Sequence, residues 1–284
     1  MSLNASGVAN VSEAQIAAQI VQDFLTDEAV LIPSVMNLSS QVRPGAKSVG
    51  IPKISGLAAA DVKEDGTEQS AGGMAVDSDV LLLNQFREVP DYVYETGDLQ
   101  SVVDLENAFF DAAPRVYAED MESKLYTEMH SGASTSSPDH LLQMSGTSNT
   151  VPTLADIRLA SELLDIQKVP QTDRFLIVTP TIKTALLSID EIQHSDKSGV
   201  SSPNVAGQFA EIYGFKLLVS NQVTADTCMA YHKSAAAYAW QKTLRTIREV
   251  QESKARTFVS VRGFWGRKTL DTGKRIIAFN ATGS

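Results

Sequence analysis

The sequence predicts a mixed α+β fold, and three patterns carry that prediction. The first is a helix, strand and helix running from Thr153 to Pro180, TLADIRLASELLDIQKVPQTDRFLIVTP. The second is a long helical run from Asp98 to Met129. The third is the alternation of Leu244–Glu249, Thr257–Arg262 and Arg275–Phe279, the signature of antiparallel strands.

In the first unit Leu154, Ile157, Leu163, Leu164 and Ile166 recur at helical spacing behind Thr153. The Thr153 hydroxyl can cap the first free amides, with Asp156 reaching back as a variant capping box. Lys168-Val169-Pro170 stops the helix, because proline has no amide donor and restricts the residue before it. Arg174–Thr179 is a short, almost wholly apolar strand, and Thr179-Pro180 supplies an N-cap and first position for the next helix. A strand apolar on both faces must be buried on both, so this unit forms the centre of the molecule. Ile212–Val223, IYGFKLLVSNQV, completes it. An apolar strand around Met229 follows, then an alanine-rich helix over Ser234–Trp240, and Gly263-Phe264-Trp265-Gly266 reads as a turn.

The long run opens on Asp98 as a plausible cap, and Tyr117, Met121, Leu125 and Met129 line one side. Pro114 costs about 3 kcal/mol in a helix interior, so a kink or break is expected there, with Asp111 capping the second half. Towards the N-terminus, small polar residues 1–11 precede a capping box at Ser12–Gln15. Behind it Ile16, Ile20 and Phe24, with Val21 and Leu25, form one apolar stripe of a helix too short to stand alone.

Between Val42 and Tyr94 the chain reads as a long two-stranded excursion. Val49 and Ile51 alternate with small or polar positions and Pro52 marks an edge. An acidic, turn-rich tip follows that includes Asp61, Lys63, Glu64 and Asp65. The second strand runs through Val80-Leu81-Leu82-Leu83 to Phe86 and Val89. A lone ribbon is marginal in water, so something must cover its apolar face. A polar loop at Ser131–Thr150 is the expected domain boundary, and a second at Gln193–Pro203 interrupts the central unit before Ile212.

Charge is segregated along the chain. Residues 1–129 carry 7 Lys+Arg against 21 Asp+Glu, whereas residues 233–284 carry 11 against 3. Each block reads locally as a solvated face, but segregation on this scale suits a protein whose acidic half meets the basic tail of a neighbour. Nucleic-acid binding by the tail is disfavoured by the net charge of −10 and by basic residues without interleaved aromatics. The single cysteine, Cys228, excludes a disulfide within one chain and points to a reducing compartment. No apolar run approaches the roughly 18 residues of a membrane span.

No pattern of catalytic chemistry emerges. His130, His140, His194 and His232 lack the spacing of a helical metal pair, and Cys228 lies in an apolar strand without a cationic neighbour to activate it. Glycine-rich phosphate loops, nucleophile elbows and calcium ladders are absent from the sequence. The expectation is a protein that is no enzyme and takes no cofactor or metal.

The order of these signals carries a resemblance. A helix ending LLDIQKVP, then RFLIVTP, a polar loop, GQFAEIYGFKLLVSNQV and CMAYHKSAAAYAW is similar to the tailed-phage major capsid protein family, with the Hong Kong ninety-seven type coat fold. The similarity spans roughly Gln15 to Phe279. It implies an N-terminal arm with a helix (1–41), an extended two-stranded loop (42–95), and a peripheral domain with spine helix and following loop (96–150). An axial α/β domain (151–232) and a return to the peripheral antiparallel sheet (233–284) complete the division. It further implies subunits joining in pentamers and hexamers, a shell in the virion assembled in the host cytoplasm, and a separate scaffolding protein and portal. The shell would enclose double-stranded DNA without sequence-specific binding, and no membrane is involved. Subunit-interface residues expected on this basis are Ile16, Ile20, Phe24, Ile51, Lys53, Lys63, Glu64, Asp65, Leu82 and Phe86. Some members cross-link a loop lysine to a neighbour's asparagine; Lys53 and Lys63 match the loop, but no partner asparagine aligns and the bond is not expected. The alternatives are an encapsulin-like nanocompartment shell and, from another class, a soluble α/β enzyme or binding protein with a concave pocket.

Overall fold

The computed structural model describes residues 29–55, 74–101, 105–136, 138–146, 149–189 and 211–281. The expected N-terminal helix, the acidic tip and the Gln193–Pro203 loop lie outside them, and Ile16, Ile20, Phe24, Lys63, Glu64, Asp65 and His194 with them.

The central unit forms as its sequence dictates. Helix α3 (Leu154–Ile166) is capped by Thr153, which accepts from the Asp156 amide while the Asp156 carboxylate accepts from the Thr153 amide. Two orphan donors are thereby satisfied reciprocally. Strand β6 (Arg174–Val178) follows, and Thr179 caps helix α4 (Pro180–Leu187), with Pro180 at its first position. The hairpin of β7 (Glu211–Ile212) and β8 (Phe215–Val219) turns on Tyr213 and Gly214, both with positive φ. Paired positive φ values are what a two-residue turn needs to match strand twist. Together with β9 (Thr227–His232), β12 (Ile276–Asn280) and β5 (Leu141–Gln143) these strands make a six-stranded sheet in the order β5-β12-β9-β6-β8-β7. Leu176, Val178, Cys228, Ala230, Ile277 and Phe279 face α3 and α4, while Ile177, Met229, Tyr231, Ile276 and Ala278 face the opposite layer. The apolar strand is indeed covered twice.

That opposite layer is helix α2 (Leu105–Ser131), preceded by the short α1 (Glu95–Gln100). Tyr117, Met121, Leu125 and Met129 are all at most 2% exposed, so the predicted stripe is the core stripe. The expected break at Pro114 does not occur: the helix runs through it, with Ala113 and Pro114 buried. The hydrogen bond lost at proline is offset by tertiary packing, since Phe110 and Ala113 rest on Val259 and Val261.

Three further expectations are corrected. Ser234–Trp240 is not a helix: a single 3-10 turn at Lys233–Ala235 leads into strand β10 (Ala236–Gln251). Alanine's helix propensity is worth little against burial on both faces, and Ala236, Ala237 and Ala239 are fully buried where the sheet leaves no room for larger side chains. Gly263–Gly266 is not a turn but the middle of strand β11 (Arg256–Thr269). A Cβ at Gly263 would lie 2.6 Å from the Tyr117 hydroxyl, so glycine here allows the helix to approach the sheet. Arg275–Phe279 does not join the other alternating segments. It belongs to the six-stranded sheet, while β10 and β11 form a four-stranded sheet in the order β1-β10-β11-β4, with β1 spanning Met36–Asn37 and β4 spanning Gln85–Tyr94.

The buried segment Ala29–Val35 crosses between α2 and β9. Its Leu31 amide donates to the Glu122 carboxylate at 3.3 Å, and Glu122 is 4% exposed. Burial raises the Glu122 carboxyl above its ordinary range, opposed by bonds from Ser220 and the Leu31 amide and reinforced by the charge of Glu119. A group whose native pKa is raised contributes its full stability below the unfolded pKa and loses it as pH climbs through the native one. Glu122→Gln keeps an acceptor for Leu31 but cannot ionise. It is expected to melt a few degrees above the parent at about pH 7 and to converge with it at about pH 3, where both carboxyl states are protonated. A melting difference independent of pH would sink this account.

Candidate assembly surface

Strands β2 (Ser48–Ser55) and β3 (Ala75–Leu82) form a separate antiparallel ribbon, with Val49 opposite Leu81, Ile51 opposite Asp79 and Lys53 opposite Asp77. Cross-strand partners share a face and successive residues alternate. One face therefore carries Val49, Ile51, Lys53, Leu81, Asp79 and Asp77; the other carries Gly50, Pro52, Leu82, Val80, Ser78 and Val76.

The two faces have opposite environments. Val49 and Leu81 are buried in a cluster with Leu38, Leu83, Ala237, Ala239 and Leu270, and Ile51 packs on its rim. Further out, Lys53 pairs with the Asp271 carboxylate, and the Asp79 carboxylate accepts from the Asp271 amide at 2.9 Å. On the other face Val76 is 65% exposed, Val80 42% and Leu82 53%. Of the expected interface residues, Ile51 and Lys53 thus meet their own subunit, whereas Leu82 points outward. Val76 and Val80, not among the expected residues, share that outward face; the period-2 pattern from Val76 to Leu82 marks them, but the continuous run Val80–Leu83 obscured it.

Phe86 is not on the ribbon. The chain turns at Leu83-Asn84, and Phe86 lies on β4, where it is 63% exposed opposite Phe264 of β11. There it belongs to the side of the four-stranded sheet away from α2. Phe86 meets Phe264 edge-on at 6.0 Å, Tyr92 lies 5.3 Å from Phe258, and the Arg256 guanidinium sits 3.7 Å over the Tyr92 ring. Arg262 pairs with Glu88 at 2.6 Å. The basic strands are thus interleaved with aromatics after all, but across strands, where sequence spacing does not register it.

The polar groups elsewhere serve structure. His140 is fully buried, its Nδ1 2.9 Å from the Ile276 carbonyl. Burial lowers His130 and His232, the latter helped by the charge of Arg275, and burial drives the Cys228 thiol far up, the opposite of activation. Among the described residues no group of three or more His, Cys, Asp or Glu could hold a metal, and no helix is long and apolar enough to cross a membrane. A groove of about 200 Å³ beside the start of α4 is lined by Thr150, Thr181, Asn221 and Asp226 among others. It falls below the roughly 300–1,000 Å³ of typical ligand pockets.

Comparison with known proteins identifies the family of the chain. A family model described as phage capsid protein matches residues 100–277, more than half of the chain. No curated protein sequence matches. Among solved structures, one of Mycobacterium phage Che8 is similar at a TM-score of 0.72 and 22% identity, covering 88% of this chain and 90% of that one. The capsid of cyanophage P-SCSP1u is similar at 0.72 and 16%, covering 88% and 87%. A virus-like particle from Pyrococcus furiosus is similar at 0.60 and 13%, covering 94% and 99%. At such identities these likenesses establish the fold, and the family match decides between shells, which leaves the encapsulin-like alternative unfavoured. The chain belongs to the phage capsid protein family and is a major capsid subunit with the Hong Kong ninety-seven type coat fold.

Proposed function

We propose that copies of this chain join in pentamers and hexamers and close into an icosahedral shell around the double-stranded DNA of a tailed phage. The role is mechanical, without catalysis. The subunit assembles in the host cytoplasm with a separate scaffolding protein and a portal, and resides in the virion. The division into arm, extended loop, peripheral and axial parts serves this role, with residues 85–94 lending a strand to the peripheral sheet. The observation that carries the reading, beyond the family itself, is the two-sidedness of the ribbon: one face anchored at home, the other apolar and open. Exposed apolar surface on a two-stranded ribbon is expected to be covered by a neighbouring subunit.

Leu82→Asp tests this. The side chain is half exposed, so subunit stability is expected to change by less than about 0.5 kcal/mol. Burying a carboxylate in a subunit contact is costly, and the concentration needed for shells in sedimentation velocity should rise at least about tenfold. Negative-stain images of normal shells at parental concentration would reject the reading, as would shells that never protect DNA from nuclease.

A further inference from the structure

We infer that Asp271 is the positioning residue of the ribbon: it sets the angle at which β2 and β3 leave the subunit. The apolar anchorage of the ribbon ends at Val49 and Leu81, with Ile51 on the rim. A ribbon held only there could swing about its base. The next contacts with the body lie further out, and both converge on one residue. Lys53 of β2 pairs with the Asp271 carboxylate, and Asp79 of β3 accepts from the Asp271 amide. Lys53 is four residues from Val49, so the second anchor sits roughly 13 Å along the strand from the first. On β3 the contact at Asp79 lies two residues from Leu81, roughly 7 Å out. Each strand is thus held at one point beyond the base, which fixes a direction that the base alone leaves open. Beyond them Ala75–Ser78 are exposed.

Asp271 is itself held in place at some cost. Asp271, Thr272 and Gly273 have φ of 53°, 52° and 72°, three left-handed residues in succession. A β-branched threonine in that region is an outlier, and such strain persists only where the surroundings impose it. Here they do. The Gly273 amide bonds the Leu270 carbonyl at 3.1 Å and its carbonyl accepts from Ser134, while the Thr272 hydroxyl bonds the Asp271 carbonyl at 2.7 Å. Gly273 presses on Gly132 just past α2, so closely that any Cβ would collide with the Gly132 carbonyl. Arg275, 3.4 Å from the other Asp271 oxygen, steadies the carboxylate. The ribbon's direction is thus referred, through Gly273 and Gly132, to the C-terminal end of α2.

An ion pair at this exposure adds little to global stability. That suits positioning: the contact biases the free ribbon towards one angle, yet a neighbouring subunit that binds a different angle better can override it. The assembly consequence rests on the reading proposed above; the orientation itself does not.

Hydrogen exchange on the unassembled subunit separates the two. Asp271→Asn retains the amide and the left-handed tolerance but removes the charge. Lys53→Gln removes the partner. Either is expected to speed exchange of residues 48–55 and 75–82 roughly fivefold, the double variant no further, with exchange of 105–131 and the melting temperature unchanged. Unchanged ribbon exchange would overturn the inference. So would additive effects in the double variant, or faster exchange spread equally into 105–131, which would mark Asp271 as merely structural. If assembly fails in the parent chain while these exchange rates behave as stated, the shell reading falls and the positioning role stands.

Discussion

Gly266→Ala is expected to destabilise the subunit by about 2–4 kcal/mol and to leave little chain competent for assembly. Gly266 lies in β11 where the end of the ribbon crosses the four-stranded sheet. An added Cβ there would fall inside van der Waals contact of the Leu82 carbonyl oxygen and 2.9 Å from Leu81 Cδ2. Two of the three nearest atoms are backbone, so no rotamer change relieves the clash; β3 must lift off β11. Lifting it withdraws Leu81, which is fully buried, from the cluster that seats the ribbon. The same change therefore lowers stability and misdirects the outward face. Gly50→Ala is the control, because a Cβ at that position meets nothing within 4 Å, and it should stay within about 0.5 kcal/mol of the parent. Urea denaturation of the three proteins settles the matter. A Gly266→Ala variant as stable as Gly50→Ala would mean that the ribbon base is not seated on Gly266.

Gly266 also illustrates what the sequence could and could not convey. Local signals were legible where a residue's reason lies within a few positions. The reciprocal Thr153/Asp156 cap, the Thr179-Pro180 start of α4 and the Tyr117-to-Met129 stripe all formed as their spacing demanded. Failures occurred where the reason lies across the fold. Ala236–Ala239 answers to β1 on one side and β11 on the other, and the glycines of β11 answer to Tyr117 and Leu82; neither pairing leaves a trace in nearby sequence. Pro114 was read as a break because its cost is local while its compensation against Val259 and Val261 is not. The candidate surface was half legible for the same reason. The ribbon was evident as two strands, but which side faced home depended on register with a partner strand 20 to 34 residues away. Phe86 joined the wrong element because the turn at Leu83-Asn84 carries neither glycine nor proline.

Arg174 carries the other large effect, and it lies in the stretch that the sequence conveyed best. The residue opens β6, and its side chain is 2% exposed. The guanidinium donates to the Pro170 carbonyl at 2.8 Å, the Val169 carbonyl at 2.7 Å, Asp165 Oδ1 at 2.5 Å and, at 3.4 Å, the Ser161 hydroxyl. The Ser161 and Asp165 side chains lie in the last turns of α3 and the Val169 and Pro170 carbonyls in the connection after it, so one planar fork ties the loop to the helix it leaves. Removing it by Arg174→Ala strands buried acceptors and deprives Asp165 of its partner, and the expected loss is about 3–5 kcal/mol. For a chain of this size that corresponds to a melting temperature lower by roughly 6–15 °C. Arg174→Lys should recover only a minor part, because an ammonium cannot reach the Val169 and Pro170 carbonyls with the same fork while keeping Asp165. If the lysine variant matched the parent, charge alone would hold α3 to the sheet and the geometry of the fork would be incidental. If alanine cost less than about 1 kcal/mol, the α3-to-β6 junction would be held by Leu163, Leu164 and Val169 packing on Leu176, and the polar fork would be secondary to that core.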